Sequence, residues 1–459
     1  MANKKTKFTV RNAAEAPAVM LDRAVTSGTN LSKKLPKNQV LAKTKGYWHD
    51  LGPGLTTGAS DDDPSGIATY SQAGAQYGFG LLWLSIFTFP LMSIIQEMCA
   101  RIGLVTGRGL AGNIRLHFSR RILIASSLLL FAANAFNIGA DLGAMAKGAQ
   151  LIHPSLSFTG LVVGFTVVSL GLQIFLNYAR YARILKWLAL ILLAYIASAL
   201  LAHLDWSLVL HKALVPHIRF EKEQILLICA ILGTTISPYL FFWQTSIEVE
   251  EKVLAGKSLL RSRIGTTKQE VKSMRTDVWS GMLLSNVVMF FIIAACGAIL
   301  FPHGITNITS ASQAAEALRP FAGNTSYWLF AAGIIGTGLL AIPVLAGSSS
   351  YALSEAFRWK SGLYRPLSQA YAFYGIIIIS MLVGLGINFT GIDPIKALIY
   401  SAVANGIVAP VVLVFVVLMS SNKKIMGKWV NKKPITWIGW FIVGAMTLAG
   451  VAAIVTLLM

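Results

Sequence analysis

The sequence predicts an all-α membrane protein with about eleven transmembrane helices, folded as a five-plus-five inverted repeat whose first and sixth helices are broken. Three observations predict it. First, 55% of the 459 residues are hydrophobic and 13% charged, against roughly 25% charged in soluble domains, and mean hydropathy is +0.64. Second, apolar runs of about 20 residues, long enough to cross a hydrocarbon core, recur from Leu55 to the C-terminus. Third, two of these runs carry glycine, proline and polar residues in their middles. Runs of this length exclude a large soluble core.

The elements follow in order. Residues 1–47 hold ten Lys or Arg against Glu15 and Asp22, which predicts a basic, disordered cytoplasmic tail. The tail either touches anionic lipid or serves only as a topology signal. It shows no apolar stretch of the kind a cleavable signal needs. Hydrophobic segments follow at 51–78, 80–103, 122–150, 157–177, 186–206, 225–247, 278–300, 327–355, 367–387, 395–419 and 436–459. The first inverted repeat is placed at 48–206 and the second at 207–419, with an extra C-terminal helix at 420–459.

Loop charge orients the chain. Alternate loops carry Arg108, Arg115, Arg120 and Arg121; Arg180, Arg183 and Lys186; Lys252 to Arg275; Arg358, Lys360 and Arg365; and Lys423 to Lys433. The intervening loops are short or nearly neutral, apart from 205–224, where basic and acidic residues mix. Positive charge inside places the N-terminus in the cytoplasm and the C-terminus outside a multi-pass cell-membrane protein. The net charge of +20 is thereby a signature of the bilayer, and no nucleic-acid partner is expected. Cys99, Cys229 and Cys296 lie singly in apolar runs, which indicates neither a disulfide frame nor a metal cluster.

The first helix is interrupted by Gly58-Ala59-Ser60-Asp61-Asp62-Asp63-Pro64-Ser65-Gly66, the sixth by Gly233-Thr234-Thr235-Ile236-Ser237-Pro238-Tyr239. Proline removes a backbone donor and glycine weakens a helix, so each should unwind near the midplane. Breaks at matching positions mark a site between them.

Three aspartates inside a membrane segment cost about 3 kcal/mol each even on lenient scales, so a bound cation or its water-filled approach is expected there. Asp63, directly before Pro64, is the leading ligand, with Asp61 and Asp62 lining an approach or capping the break. Thr234, Ser237 and Tyr239 offer oxygens at the second break, and the half-helix after Pro238 aims its positive end at the same space. The alternative is that these hydroxyls bond their own helix. In the third segment Asn134, Asn137 and Asp141 share one helix face, and Asp141 binds a coupling ion, relays protons or pairs with a cation from another helix. Asn405 and Asn286 are weaker candidates, more often inter-helix hydrogen-bond partners, and Gly347-Ser348-Ser349-Ser350 reads as close packing. Walker, HExxH and GxSxG signatures are absent, so neither an enzyme nor ATP drive is supported and no cofactor is expected.

The run from Gly52-Pro53-Gly54-Leu55 through Asp63-Pro64-Ser65-Gly66-Ile67-Ala68-Thr69 and Gln72-Ala73-Gly74-Ala75 resembles the Nramp family of proton-coupled transition-metal transporters. So do Gln96-Glu97-Met98-Cys99-Ala100-Arg101-Ile102-Gly103, Thr106-Gly107-Arg108 and Leu345-Ala346-Gly347, and the resemblance runs over most of residues 50–420. It implies a LeuT-like fold with alternating access around a midplane ion site. It also implies Asp63 as the metal ligand, with Gly66 standing where the family's Asp-Pro-Gly-Asn places asparagine. At the second break the family's Met-Pro-His is replaced by Ser237-Pro238-Tyr239. A thioether suits softer transition metals, whereas oxygen donors suit hard ions. Tyr239 cannot titrate as histidine does near neutral pH, which separates this chain from the family's proton coupling.

Two readings follow. The first is a secondary transporter or uniporter of a hard inorganic cation of the magnesium type. The second is a sodium-coupled carrier of a small oxyanion such as bicarbonate, cradled by hydroxyls and half-helix N-termini. A coupling cation, Na+ or H+, is left open. A membrane receptor or scaffold without transport is a third class, and two matched breaks serve no purpose in it.

Overall fold

The computed structural model describes residues 10–11, 13–15, 17–18, 52–175, 193–201, 204–308, 311–319 and 323–458. The loop of Arg180, Arg183 and Lys186, most of the basic tail and Met459 lie outside the described residues. Where described, each of the eleven expected segments is helical. The first is α1 (Pro53–Asp61) and α2 (Pro64–Tyr77), followed by α3 (Trp83–Thr106), the short α4 (Leu110–His117), α5 (Arg120–Ile152), α6 (Phe158–Phe175), α7 (Leu193–Leu201) and α8 (Trp206–Leu214). The sixth is α9 (Lys222–Thr235) and α10 (Pro238–Leu254), then come α11 (Lys268–Ile299), α12 (Ser326–Ala356), α13 (Tyr371–Ile387), α14 (Pro394–Ser420) and α15 (Lys433–Leu458). Among the described residues, eight helices or broken-helix pairs are each long and apolar enough to cross a bilayer. Spans of continuous helix satisfy every backbone group internally, which hydrocarbon demands.

The interruptions are shorter than the glycine-rich stretches suggested. Gly58 to Asp61 and Gly233 to Thr235 stay helical, and two residues form each break: Asp62 and Asp63 in the first, Ile236 and Ser237 in the second. The two breaks share one conformational signature. Asp62 (φ −85, ψ 53) and Ile236 (φ −110, ψ 58) leave the helix; Asp63 (φ −70, ψ 171) and Ser237 (φ −78, ψ 132) are extended. Each extended residue precedes a proline that opens the next helix. Proline Cδ crowds the preceding residue out of the helical region, and its own missing N–H costs nothing at a first turn.

Helix α1 is seated by glycine. A Cβ on Gly58 would meet the Gly281 carbonyl oxygen at 2.2 Å, and one on Gly281 would meet the Gly54 carbonyl oxygen at 2.2 Å. The N-terminal residue of α1 offers no side-chain cap. Asp277 of α11 supplies it, accepting from the N–H groups of Gly52 (3.0 Å), Gly54 (2.6 Å) and Leu55 (3.2 Å). Gly233 of α9 and Gly406 of α14 make a second close crossing, where a Gly233 Cβ would lie 2.3 Å from the Gly406 nitrogen.

One expectation is corrected. Within the tail read as disordered, residues 10–11, 13–15 and 17–18 are helical, and Ala14 and Ala18 are buried. Ala14 clusters with Leu353 and Ile376, and its carbonyl occupies the space a Cβ on Gly375 would need. The spacing of the two alanines makes a small apolar stripe one helical turn long, enough to seat on α12 and α13.

Candidate functional site

The two breaks meet in the middle of the bundle, with α5, α11 and α14 packed against α2 or α1. Asp63 caps α2 in the manner a helix start requires: Oδ1 accepts from the Gly66 N–H and the Ser65 hydroxyl, each at 2.7 Å. Its Oδ2 accepts from Asn137 Nδ2 at 2.9 Å, and Asn137 Oδ1 accepts in turn from the Ser401 hydroxyl at 2.8 Å. The metal-ligand candidate is therefore held from two sides, by its own helix and by α5. Ser285 of α11 donates to Asp61 Oδ2 at 2.8 Å and reaches Asp62 Oδ1 at 3.2 Å, leaving Asp61 Oδ1 without a partner. Asp141, four residues beyond Asn137, lies within coulombic reach of Asp63 and near the Ser65 backbone N–H, and neither of its oxygens makes a hydrogen bond of ordinary geometry.

All four carboxylates are sealed from solvent, Asp61 and Asp141 at 0% exposure and Asp62 and Asp63 at 1%. Among the described residues none of the four pairs with Lys, Arg or His. Lys147, on the same helix as Asp141, does not pair with it: its ammonium sits over the Phe158 ring at 5.3 Å. Four buried carboxylates without a cation cannot all carry charge at tolerable cost. Unpartnered buried oxygens in a native fold call for a ligand, water or ion.

The second break contributes selectively. The Tyr239 hydroxyl donates to the Ser60 carbonyl at 3.1 Å, tying α10 to the C-terminal end of α1. Thr234 Oγ1 and the Tyr70 hydroxyl are buried next to each other, and neither makes a hydrogen bond of ordinary geometry. Both border Gly66: a Cβ there would meet Thr234 Oγ1 at 3.2 Å, the Asp61 carbonyl oxygen at 3.3 Å and Tyr70 Cε2 at 3.4 Å. Gly66 therefore leaves room among oxygens. Its N–H is engaged by Asp63 Oδ1.

Two further expectations are revised. The Ser237 hydroxyl bonds the Gly233 and Thr234 carbonyls at 2.8 and 2.7 Å, the local satisfaction that serine prefers before a proline break. Asn134 is drawn away to α12, where its Nδ2 meets the Leu345 carbonyl and the Ser348 and Ser349 hydroxyls. Three positions on one helix face were thus divided between a packing seam and the site. Asn405 of α14 has neither amide atom hydrogen-bonded. Asn286 bonds Thr88, Met92 and the Met282 carbonyl, joining α11 to α3. Sequence reasoning missed Ser285, Ser401 and Tyr70, whose only signal is a polar group on an apolar helix.

The site is closed toward both ends. Gln72 fastens α2 to the loop through the Thr306 carbonyl and the Ile308 N–H, at 3.0 and 2.9 Å. At the opposite end Thr57 donates to Gln244, which donates to Glu248 at 2.9 Å. Among the described residues, no set of three or more His, Cys, Asp or Glu side chains converges as a complete metal cage. A cation here would take its remaining ligands from hydroxyls, carbonyls and water.

A profile described as natural resistance-associated macrophage protein-like, Nramp, matches residues 54–456. A divalent metal cation transporter, MntH, of Klebsiella pneumoniae is 27% identical over 403 residues, covering 86% of this chain and 90% of its own. The namesake of Caldanaerobacter subterraneus is 25% identical over 390 residues, covering 83% and 86%. The manganese transporter of Eremococcus coleocola superposes with a TM-score of 0.67 at 19% identity, over 92% of this chain and 89% of that one. Mhp1, a nucleobase-cation-symport-1 family transporter, superposes at 0.54 with 13% identity, over 88% and 91%. At these identities the two structures establish the shared fold.

Proposed function

Because this chain belongs to the Nramp family, we propose that it is a multi-pass membrane transporter of a divalent metal cation, bound between the two helix breaks. The observation that carries this reading is the buried, uncompensated acidity of Asp61, Asp62, Asp63 and Asp141. Buried carboxylates without a basic partner repel an anion and are completed by a cation. The relatives named as divalent metal cation transporters support the same class of cargo.

Within that class the site favours a hard ion of the magnesium type. Asp63 Oδ2, Asp61 Oδ1, Asp141, Thr234 Oγ1 and the Asp61 carbonyl are all oxygen donors. Ser237 and Tyr239 offer oxygen at the second break, where a thioether and an imidazole would suit a softer transition metal. Too few carboxylates converge to strip every water from the ion, which suits a cation that dehydrates reluctantly. Asn137 orients Asp63, and Tyr239 holds the end of α1 against α10. Alternating access then requires α1 to part from Asp277 and Gln244 on one side, and α2 from the 306–308 loop on the other. The N-terminus faces the cytoplasm on the loop-charge argument.

One observation favours the second reading. Ser237 does not cap α10, so the N-terminal end of that helix faces the closed site without a side-chain acceptor. An oxyanion neutralised by a co-bound sodium would complement it. Uptake into proteoliposomes of magnesium, manganese and bicarbonate, with and without a sodium gradient, separates the readings. Saturable magnesium uptake independent of sodium is expected; bicarbonate uptake that requires sodium would replace the first reading with the second.

A further inference from the structure

The cytoplasmic-type loops build a cavity remote from the helix breaks. It has a volume of about 360 Å³ and draws its walls from the α3–α4 turn, the 255–265 loop, the inner ends of α10 and α12, and the 357–365 loop. Six cations line it: Arg108, Arg115, Arg263, Arg358, Lys360 and Arg365. Against them stand two acids: Glu250, whose Oε2 has no hydrogen-bond partner, and Glu355, which lies within coulombic reach of Arg115 and Arg108. Glu250 accepts from the Tyr351 hydroxyl and the Leu363 N–H, and Glu355 accepts from the Gly112 N–H at 2.7 Å.

A surplus of positive charge on this face is what topology alone would produce. The convergence of six cations on one cavity is not. Elsewhere among the described residues some basic side chains meet acids, as Arg101 and Arg275 share Glu97 and Lys257 meets Glu270, and others, such as Arg120, Arg121, Lys423 and Lys424, stand apart from any acid and from one common cavity. None of the six around the cavity forms such an ion pair among the described residues. The Nε atoms of Arg115 and Arg263 are buried without hydrogen-bond partners. Arg358 adopts a left-handed backbone (φ 60), a conformation that costs a non-glycine residue energy. Burial first, then the neighbouring Arg358 and Arg108 charges, hold the Arg115 guanidinium below its usual range.

We propose that this cavity is a binding site for a phosphate-bearing anion, held by Arg108, Arg115, Arg263, Arg358, Lys360 and Arg365. Several guanidinium groups around one space present forked donors matched to phosphate oxygens, and a dianion relieves their mutual repulsion. The same chemistry is offered by a soluble phosphate and by an anionic lipid headgroup. None of the break residues lines this cavity.

The test uses the full chain in two arms. In detergent, sodium pyrophosphate is titrated at constant ionic strength while thermal unfolding is followed. In nanodiscs, native mass spectrometry counts phosphatidylglycerol retained against phosphatidylcholine. Each arm compares the wild type with Arg358→Gln/Lys360→Gln, both exposed positions that should fold, and with the control Lys423→Gln/Lys424→Gln, exposed basic residues outside the cavity. We expect saturable stabilisation by pyrophosphate, or selective retention of phosphatidylglycerol, weakened about tenfold or more in the cavity variant and unchanged in the control. The arm that responds identifies the source. No binding in either arm, or equal loss in both variants, overturns the site and returns the six cations to a topological role.

Discussion

Replacing Asp63 with asparagine separates ion binding from helix capping. Asparagine keeps the acceptor that Gly66 and Ser65 use, and it caps helices as well as aspartate does, so the capping change is worth less than about 1 kcal/mol. Its new amide would face Asn137 Nδ2, donor against donor. Asn137 can turn its amide over, because the Ser401 hydroxyl also donates to the Leu398 carbonyl and can accept instead. The fold should therefore survive. The ion should not bind: removing one charge from a buried pair costs about 3–5 kcal/mol, and each ~1.4 kcal/mol is tenfold. Apparent affinity should fall roughly 100-fold or more, leaving magnesium flux near background in proteoliposomes, with a melting temperature close to wild type. Flux within about threefold of wild type in a folded variant would refute the ligand role of Asp63 and leave it a capping residue, shifting the search to Asp141 and Asn137.

Ser237→Met combined with Gly66→Asn should move preference toward manganese. The contacts of 3.2–3.4 Å that a Cβ at Gly66 would make leave room for this if Thr234 and Tyr70 shift slightly. Calorimetry in which the unmodified protein already binds manganese at least tenfold tighter than magnesium would contradict the hard-ion reading. Gly281→Ala should destabilise the fold by about 1–3 kcal/mol or more, since its methyl would sit 2.2 Å from the Gly54 carbonyl oxygen and 2.9 Å from Leu55 Cα; an unchanged melting temperature would show that α1 is loosely seated. Asp277→Asn removes the charge from the cap on α1, worth about 1–2 kcal/mol, a factor of roughly 5–30 in opening. A cysteine at buried Thr56 should then be labelled faster by that factor. For topology, reagents applied from one side should label cysteines placed at Lys257 and at Thr306 exclusively of one another.

Much of the architecture is legible in the chain because hydrocarbon tolerates few solutions. A segment that spans must be helical and about 20 residues long, so run length, loop charge and the placement of Pro64 and Pro238 suffice to count the helices and locate both breaks. The candidate site is legible only in its acids. Asp61, Asp62, Asp63 and Asp141 stand out because their burial is expensive, and all four are buried in the structure. Hydroxyls and amides carry no such signal. Ser237 bonding its own helix and Ser285 bonding two aspartates across the bundle look alike in one dimension.

What the sequence determined by itself is thus the spanning pattern, the two proline-marked interruptions and the presence of costly acids within them, each a local consequence of chain chemistry in a solvent without water. Tertiary structure alone decided which polar groups face the site. It turned Asn134 toward α12 and Asn137 toward Asp63, one helical turn apart on the same face. It placed Asp277 on the N-terminus of α1 more than 220 positions earlier. It gathered six cations and two acids around a common cavity. The physical reason is that a hydrogen bond or charge pair depends on separations of a few ångströms between helices, and those separations are fixed by where glycines such as Gly58, Gly281, Gly233 and Gly406 let backbones touch.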